Sequence, residues 1–234
     1  MKSQFYDVIS VLTVILSFVP AVIVLLKKLW QAVPFNFFAA YWVVNGLINA
    51  MLLIKDLNKK FLEVAIVIYN AIDIPMMVGV IYLAAFSDRL KRFIRISLVL
   101  FIVFEIACLI HGGFDYDSLK YALGVGLLFI LTIIIWQISL FLQQIEHASR
   151  EKALLLIHGA LLFQYGTYIV VYIFDYYLID FADTVDKFLI YYISTIISIA
   201  IGSSGLLLKG LRRIPATAAI KRSFWDESRD RSAR

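Results

Sequence analysis

Apolar residues in this chain come in long blocks set apart by short charged punctuation, and the rhythm repeats seven times. The blocks predict helices over 6–29, 35–54, 62–86, 93–111, 119–143, 152–178 and 187–210. Each is long enough for the ~20 residues a helix needs to cross ~30 Å of hydrocarbon. The short alternating segments of a β-barrel are missing, and the connections are too brief to fold as domains. The polar stretch "RRIPATAAIKRSFWDESRDRSAR" closes the chain, and Pro215 marks a helix stop. The expectation is an all-α integral membrane protein. It has a seven-transmembrane-helix bundle at 1–211 and a basic cytoplasmic tail at 212–234.

Composition sharpens this reading. Of 234 residues, 62% are hydrophobic and 17% charged, with mean hydropathy +0.87. Soluble domains run near half apolar and a quarter charged, so water is the wrong solvent for this chain. The first block, Val8 to Leu26, ends in Lys27 and Lys28 without a small-residue cleavage site. It is expected to be a retained span and not a secretory signal. Cys108 is the single cysteine, which excludes an intramolecular disulfide and a Cys/His metal cluster.

Charge orients the bundle. With the N-terminus outside, the inner segments 27–34, 87–95, 144–152 and 209–234 hold 2, 4, 2 and 8 basic residues. The outer segments 1–7, 55–63, 112–120 and 179–187 hold 1, 3, 1 and 1. Sixteen against six predicts N-out, C-in, in a plasma (inner) membrane. Asp115, Asp117, Asp175, Asp180, Asp183 and Asp186 crowd the outer ends of spans 4 to 7. They read as a cation-attracting mouth, or simply as what remains where basic residues are avoided. The basic inner face and tail suit anionic lipid headgroups or a cytoplasmic partner. Topology accounts for the pI of 9.2, so no nucleic-acid partner is inferred. Pro20 and Pro75 have no counterparts in the second half, and a repeat-built transporter is unsupported.

Polar residues at helical spacing show which faces turn inward. Span 6 carries His158, Tyr165, Tyr168, Tyr172 and Tyr176 within a sector of roughly 80°. Span 7 carries Tyr191, Ser194, Thr195, Ser198, Gly202 and Gly205 within roughly 100°. Small residues there equally suit close helix packing. Span 2 aligns Phe38, Tyr41, Trp42, Asn45 and Asn49, and span 3 aligns Asn70, Asp73 and Met77. Buried phenols need partners, and a cavity shared by spans 2, 3, 6 and 7 would supply them.

Asp73, in "YNAIDIPMMVGVIYL", is the sharpest signal. Ionised and facing lipid it would cost at least ~3 kcal/mol, so it is expected to face the bundle. Pro75 frees the carbonyl of Ala71 and is expected to kink the helix beside the acid. Such a constellation builds a proton, cation or ligand site, or a structural clasp with Asn45, Asn49 or tyrosine hydroxyls. Glu105 is a second intramembrane acid, open to pairing with a tyrosine, Trp136 or Gln137, or to simply staying protonated. His158 could relay protons or simply bond a neighbouring helix.

Seven helices with a mid-span-3 carboxylate resemble the microbial rhodopsins, which carry retinal on a lysine in the middle of helix 7. Here the stretch "FLIYYISTIISIAIGSSGLLLKGL" of span 7 offers only Lys209, at its cytoplasmic end, so a covalent retinal is excluded. "GSSG" at 202–205 is similar to the nucleophile motif of rhomboid-type proteases, with Ser204 in the matching place. Ser204, however, points off the polar face. Ceramidase-like hydrolases resemble the chain in helix number, but His111, His147 and His158 fall at different depths. The expected function is non-enzymatic and sensor-like, with a polar, Tyr-rich intramembrane cavity binding a small ligand. Its site residues would be Asp73, Asn70, Asn45, Asn49, Tyr165, Tyr168, Tyr172, Glu105, His158, Ser194 and Ser198. The alternative is a proton- or cation-coupled carrier or channel using Asp73. An intramembrane hydrolase and an assembly subunit are the remaining readings.

Overall fold

The computed structural model describes residues 2–54, 57–85, 87–113, 120–143, 146–177 and 184–211. The tail from 212, Asp115, Asp117, Asp180, Asp183 and the Asp186 side chain lie outside the described residues. Eight helices cover them: α1 (Lys2–Ser17), α2 (Val19–Leu26), α3 (Val33–Leu52), α4 (Lys59–Ala84), α5 (Asp88–Gly112), α6 (Lys120–Leu142), α7 (Ser149–Tyr176) and α8 (Thr184–Leu207). With α1 and α2 counted as one stretch, seven are long and apolar enough to cross a membrane. Among the described residues there is no strand.

The ends of the seven stretches fall within a few residues of the hydrophobic blocks. The largest difference is at α5, which begins at Asp88 and not at residue 93. Its first turn is charged but still helical, because Ser87 Oγ accepts the Leu90 N–H at 3.4 Å as a cap. The first block is not one helix. It breaks at Phe18, two residues before Pro20, whose ring collides with the carbonyl four residues back and lacks an N–H to bond it. Pro75, by contrast, lies inside a continuous α4.

Successive spans are joined by short connections and so run antiparallel. One end of the bundle therefore carries the chain's start and the α3–α4 connection, and is termed the N-terminal end. The other carries Lys27 and Leu211 and is termed the C-terminal end. Contacts run α1/α2 to α3, α3 to α4, α4 to α6, α6 to α7, α7 to α8, and α8 back to α1/α2. Six spans thus close a ring, and α5 stands outside it against α4 and α6. The ring closes at close range. A Cβ on Gly205 would sit 2.8 Å from the Ala153 carbonyl of α7, and one on Gly46 would sit 2.8 Å from Ser17 of α1. At the C-terminal end, Lys27 Nζ donates to the carbonyls of Leu206, Leu207 and Leu208 at 3.1, 2.7 and 2.9 Å. These are unsatisfied groups at the end of α8, so a cation there is favourable twice over.

The two halves of the ring differ. The C-terminal half is solid, filled by fully buried Phe35, Phe38, Trp42, Ile81, Ile133 and Ile157. The N-terminal half is hollow. Outside, α5 presents Val99, Leu100, Val103, Ile106 and Ile110, the last 80% exposed. So large an apolar surface suits lipid and not water.

Candidate ligand cavity

The hollow half encloses a cavity of about 450 Å³ walled by α3, α4, α6, α7 and α8, within the usual size of small-molecule sites. Much of its wall is apolar, with Leu52, Ile66, Val67, Leu123, Leu127 and Val171. Glu63, Asp175 and Phe188 lie toward the N-terminal end, and Asp73 lies toward the solid half.

Asp73 is 9% exposed and sits four residues after Tyr69 on the same helix face. Tyr69 donates to Asp73 Oδ1 at 3.1 Å, and Tyr165 of α7 donates to Oδ2 at 3.0 Å. Behind Tyr69 a directed chain runs into α3. Asn49 Nδ2 donates to Asn45 Oδ1 at 2.9 Å, and Asn45 Nδ2 donates to the Tyr69 oxygen at 2.5 Å. Each donor in the chain points toward the carboxyl, an arrangement suited to holding a carboxylate inside a helix bundle. Tyr41, fully buried, lies beside Asp73 and Tyr165, its hydroxyl without a hydrogen bond of good geometry.

A tyrosine cluster forms the wall next to this chain. Tyr168 of α7 stacks on Tyr191 of α8, with centroids 5.0 Å apart and planes 14° from parallel. Asn45 Nδ2 reaches the Tyr191 oxygen at 3.3 Å, which ties the stack to the same network. Gln164 donates to both the Tyr168 hydroxyl and Thr195 Oγ1, the latter at 3.0 Å. Tyr172 donates to the Lys120 carbonyl at 3.0 Å and fills the space over Gly124, where a Cβ would lie 2.6 Å from its hydroxyl.

The candidate residues separate into groups. Asp73, Asn49, Asn70, Tyr168 and Tyr172 line the cavity, and Asn45 and Tyr165 hold Asp73 and its neighbours from behind. Glu105 is elsewhere, buried on the peripheral α5. Among the described residues it has no hydrogen-bond partner, so the expected pairing with a tyrosine, Trp136 or Gln137 is not formed. His158 bonds its own helix through Nδ1 to the Leu154 carbonyl at 2.5 Å, away from the cavity. Ser194 donates to the Tyr191 carbonyl at 2.8 Å, and Ser198 to the Ala160 carbonyl of α7 at 3.0 Å. Both belong to helix packing. Ser204 is exposed and bonds its own helix at the Ile201 carbonyl, so it and His158 form no nucleophile–base pair. Among the described residues no group of three His, Cys, Asp or Glu is placed to hold a metal ion.

Several residues of the site were not singled out in the sequence. Tyr69 lies one helical turn before Asp73, and that spacing is the signal for it. Gln164 bears the same relation to Tyr168. The α6 wall of Leu123 and Leu127 has no signal at all, because apolar residues lining a cavity read like apolar residues facing lipid.

Fold and cavity define a class by construction: an all-helical chain with seven membrane-length helices and an aromatic chamber ending on a carboxyl group. No protein-family profile, no curated protein and no solved structure matches the chain.

Proposed function

We propose that the chain is a polytopic membrane protein, N-terminus outside, that binds a small ligand in this chamber and acts as a sensor or receptor. The cavity then opens toward the outer side, and the basic face and tail lie in the cytoplasm for lipid headgroups or a partner. One observation carries the reading: the chamber is one-sided. Beneath Asp73 the bundle is closed by Phe38, Trp42, Met77, Ile81 and Leu161, all fully buried. A ligand can be held there against that floor. The test is native mass spectrometry and ligand-binding calorimetry on the purified chain. A retained or added small molecule should be lost when Val171→Trp fills the chamber of a still-folded protein. A ligand held equally well by that variant would sink the proposal.

A carrier is the second reading, and one observation favours it. Trp42 Nε1, Gln137 Oε1, His158 Nε2 and Ser203 Oγ are buried in the solid half without hydrogen-bond partners. Unpaired buried polar atoms are costly, and water or a moving solute would satisfy them. Flux across proteoliposomes that Asp73→Asn abolishes would establish transport. Absence of flux under every proton and ion gradient would remove this reading.

A further inference from the structure

We propose that the chamber takes an organic cation, a small amine whose ammonium group reaches Asp73 and whose apolar body lies against the apolar part of the wall. The inference rests on reading the chamber as a ligand site, and adds the chemical class of the ligand.

The charge balance of the wall comes first. Among the described residues that line the cavity there are three carboxyl groups, Glu63, Asp73 and Asp175, and no lysine or arginine. Lys120, near the N-terminal end, leans onto α7, its Nζ 5.5 Å from the centre of the Tyr176 ring. Its Nζ reaches the Tyr176 carbonyl at 3.5 Å and lies 4.5 Å from the centre of the Tyr177 ring. An anion brought to Asp73 would meet a like charge, with no lysine or arginine among the described lining residues beside it.

The aromatic content comes second. Six lining residues are tyrosines: Tyr69, Tyr168, Tyr172, Tyr176, Tyr191 and Tyr192. Ring faces attract cations most strongly where water is thinned out, and cages of aromatic rings around an ammonium use this. Tyrosine rings beside a carboxylate suit an organic cation better than a neutral solute, which would leave the carboxylate uncompensated.

Geometry separates an organic cation from a metal ion. Glu63 and Asp73 are ten residues apart on α4, or ~15 Å along its axis, and cannot grip one ion. Hard cations demand a shell of six or more oxygens, whereas the wall between these acids is largely carbon. An amphipathic amine matches the sequence of surfaces. Acids at the mouth draw it in, leucine and valine side chains cover its body, and Asp73 receives its N–H groups. Each Asp73 oxygen takes one tyrosine hydroxyl and Tyr41 stands beside them, and a carboxylate has about four acceptor sites, so capacity for an ammonium remains.

The test uses the full chain in nanodiscs and three probes of one shape: 2-phenylethylamine, 2-phenylethanol and phenylacetate, titrated by calorimetry at neutral pH. The amine should bind saturably and at least about tenfold tighter than the alcohol, since an unmatched buried charge is costly. Phenylacetate should not bind. Asp73→Asn should erase the difference between amine and alcohol. Equal binding of amine and alcohol, tighter binding of the carboxylate, or a difference that survives Asp73→Asn would each overturn the inference and leave the chamber a ligand site. Binding of none of the three would overturn both the inference and the ligand-site reading. Should Asp73→Asn fail to fold, the three probes on the unaltered chain decide the question alone.

Discussion

The Tyr165 hydroxyl donates to Asp73 Oδ2 at 3.0 Å, joining residues 92 positions apart on helices that are not neighbours in the ring. The bond reaches across the interior of the bundle. Tyr165→Phe should therefore lower stability by about 1–3 kcal/mol, the cost of leaving a buried acceptor short of a donor. Tyr69→Phe should cost at least as much, because it also leaves the Asn45 amide without its 2.5 Å acceptor. Thermal unfolding in detergent would show both. Melting curves that overlay the unaltered protein would refute the network.

Lys27 reaches three carbonyls at the end of α8 from the end of the first span. Lys27→Met keeps the length of the side chain and removes the donor. The expected loss is about 1.5–3 kcal/mol, as for hydrogen bonds from a charged group. Fraying of the last turn of α8, read by hydrogen exchange at Leu206 to Leu208, should accompany it. Unchanged exchange there would mean that water caps α8 equally well.

Two glycine substitutions of the same size should part ways. Gly205→Ala puts a Cβ 2.8 Å from the Ala153 carbonyl, a backbone atom that cannot swing aside, and should destabilise by about 1–3 kcal/mol. Gly159→Ala meets nothing within 4 Å and should be neutral or stabilising by up to about 1 kcal/mol, through helix propensity alone. Equal effects would contradict the close approach of α7 and α8.

Glu105→Gln should leave ligand binding untouched, whereas Asp73→Asn should impair it, although both replace a buried acid by its amide. The reason is placement: Asp73 lies in the ring's interior and Glu105 on the helix outside it. A calorimetric titration on the two variants checks this, and parallel losses would tie α5 to the site.

Orientation is open to direct labelling. In a Cys108→Ser background, Asn58→Cys and Glu146→Cys place single thiols at exposed positions at opposite ends of the bundle. A membrane-impermeant maleimide on intact cells should label the first and spare the second. The reverse pattern would invert the topology and put the cavity mouth inside.

Helix number and extent were legible because hydrocarbon thickness imposes one length on every span, whatever its neighbours. The inward faces of α3, α4 and α7 were also legible, since Asn45, Asp73 and Tyr168 each stand out against apolar surroundings. What failed did so for lack of contrast. Ser194 and Ser198 share the polar face of α8, but hydroxyls can bond helix carbonyls, and both do so. Glu105 joined the candidate site as a second buried acid, although no local pattern tells a ring helix from a peripheral one. Neither proline behaved alike: Pro20 follows a break at Phe18, and Pro75 sits in an unbroken α4.

A bundle that is solid at one end and hollow at the other is mechanically graded. Close-packed interiors are nearly incompressible, while voids yield under load and are eliminated first when pressure is applied. The hollow cup should therefore be the compliant part and the stem beneath Asp73 the stiff one. Occupying the cup would remove that compliance, so an event at the mouth would reach the far end as a change in rigidity.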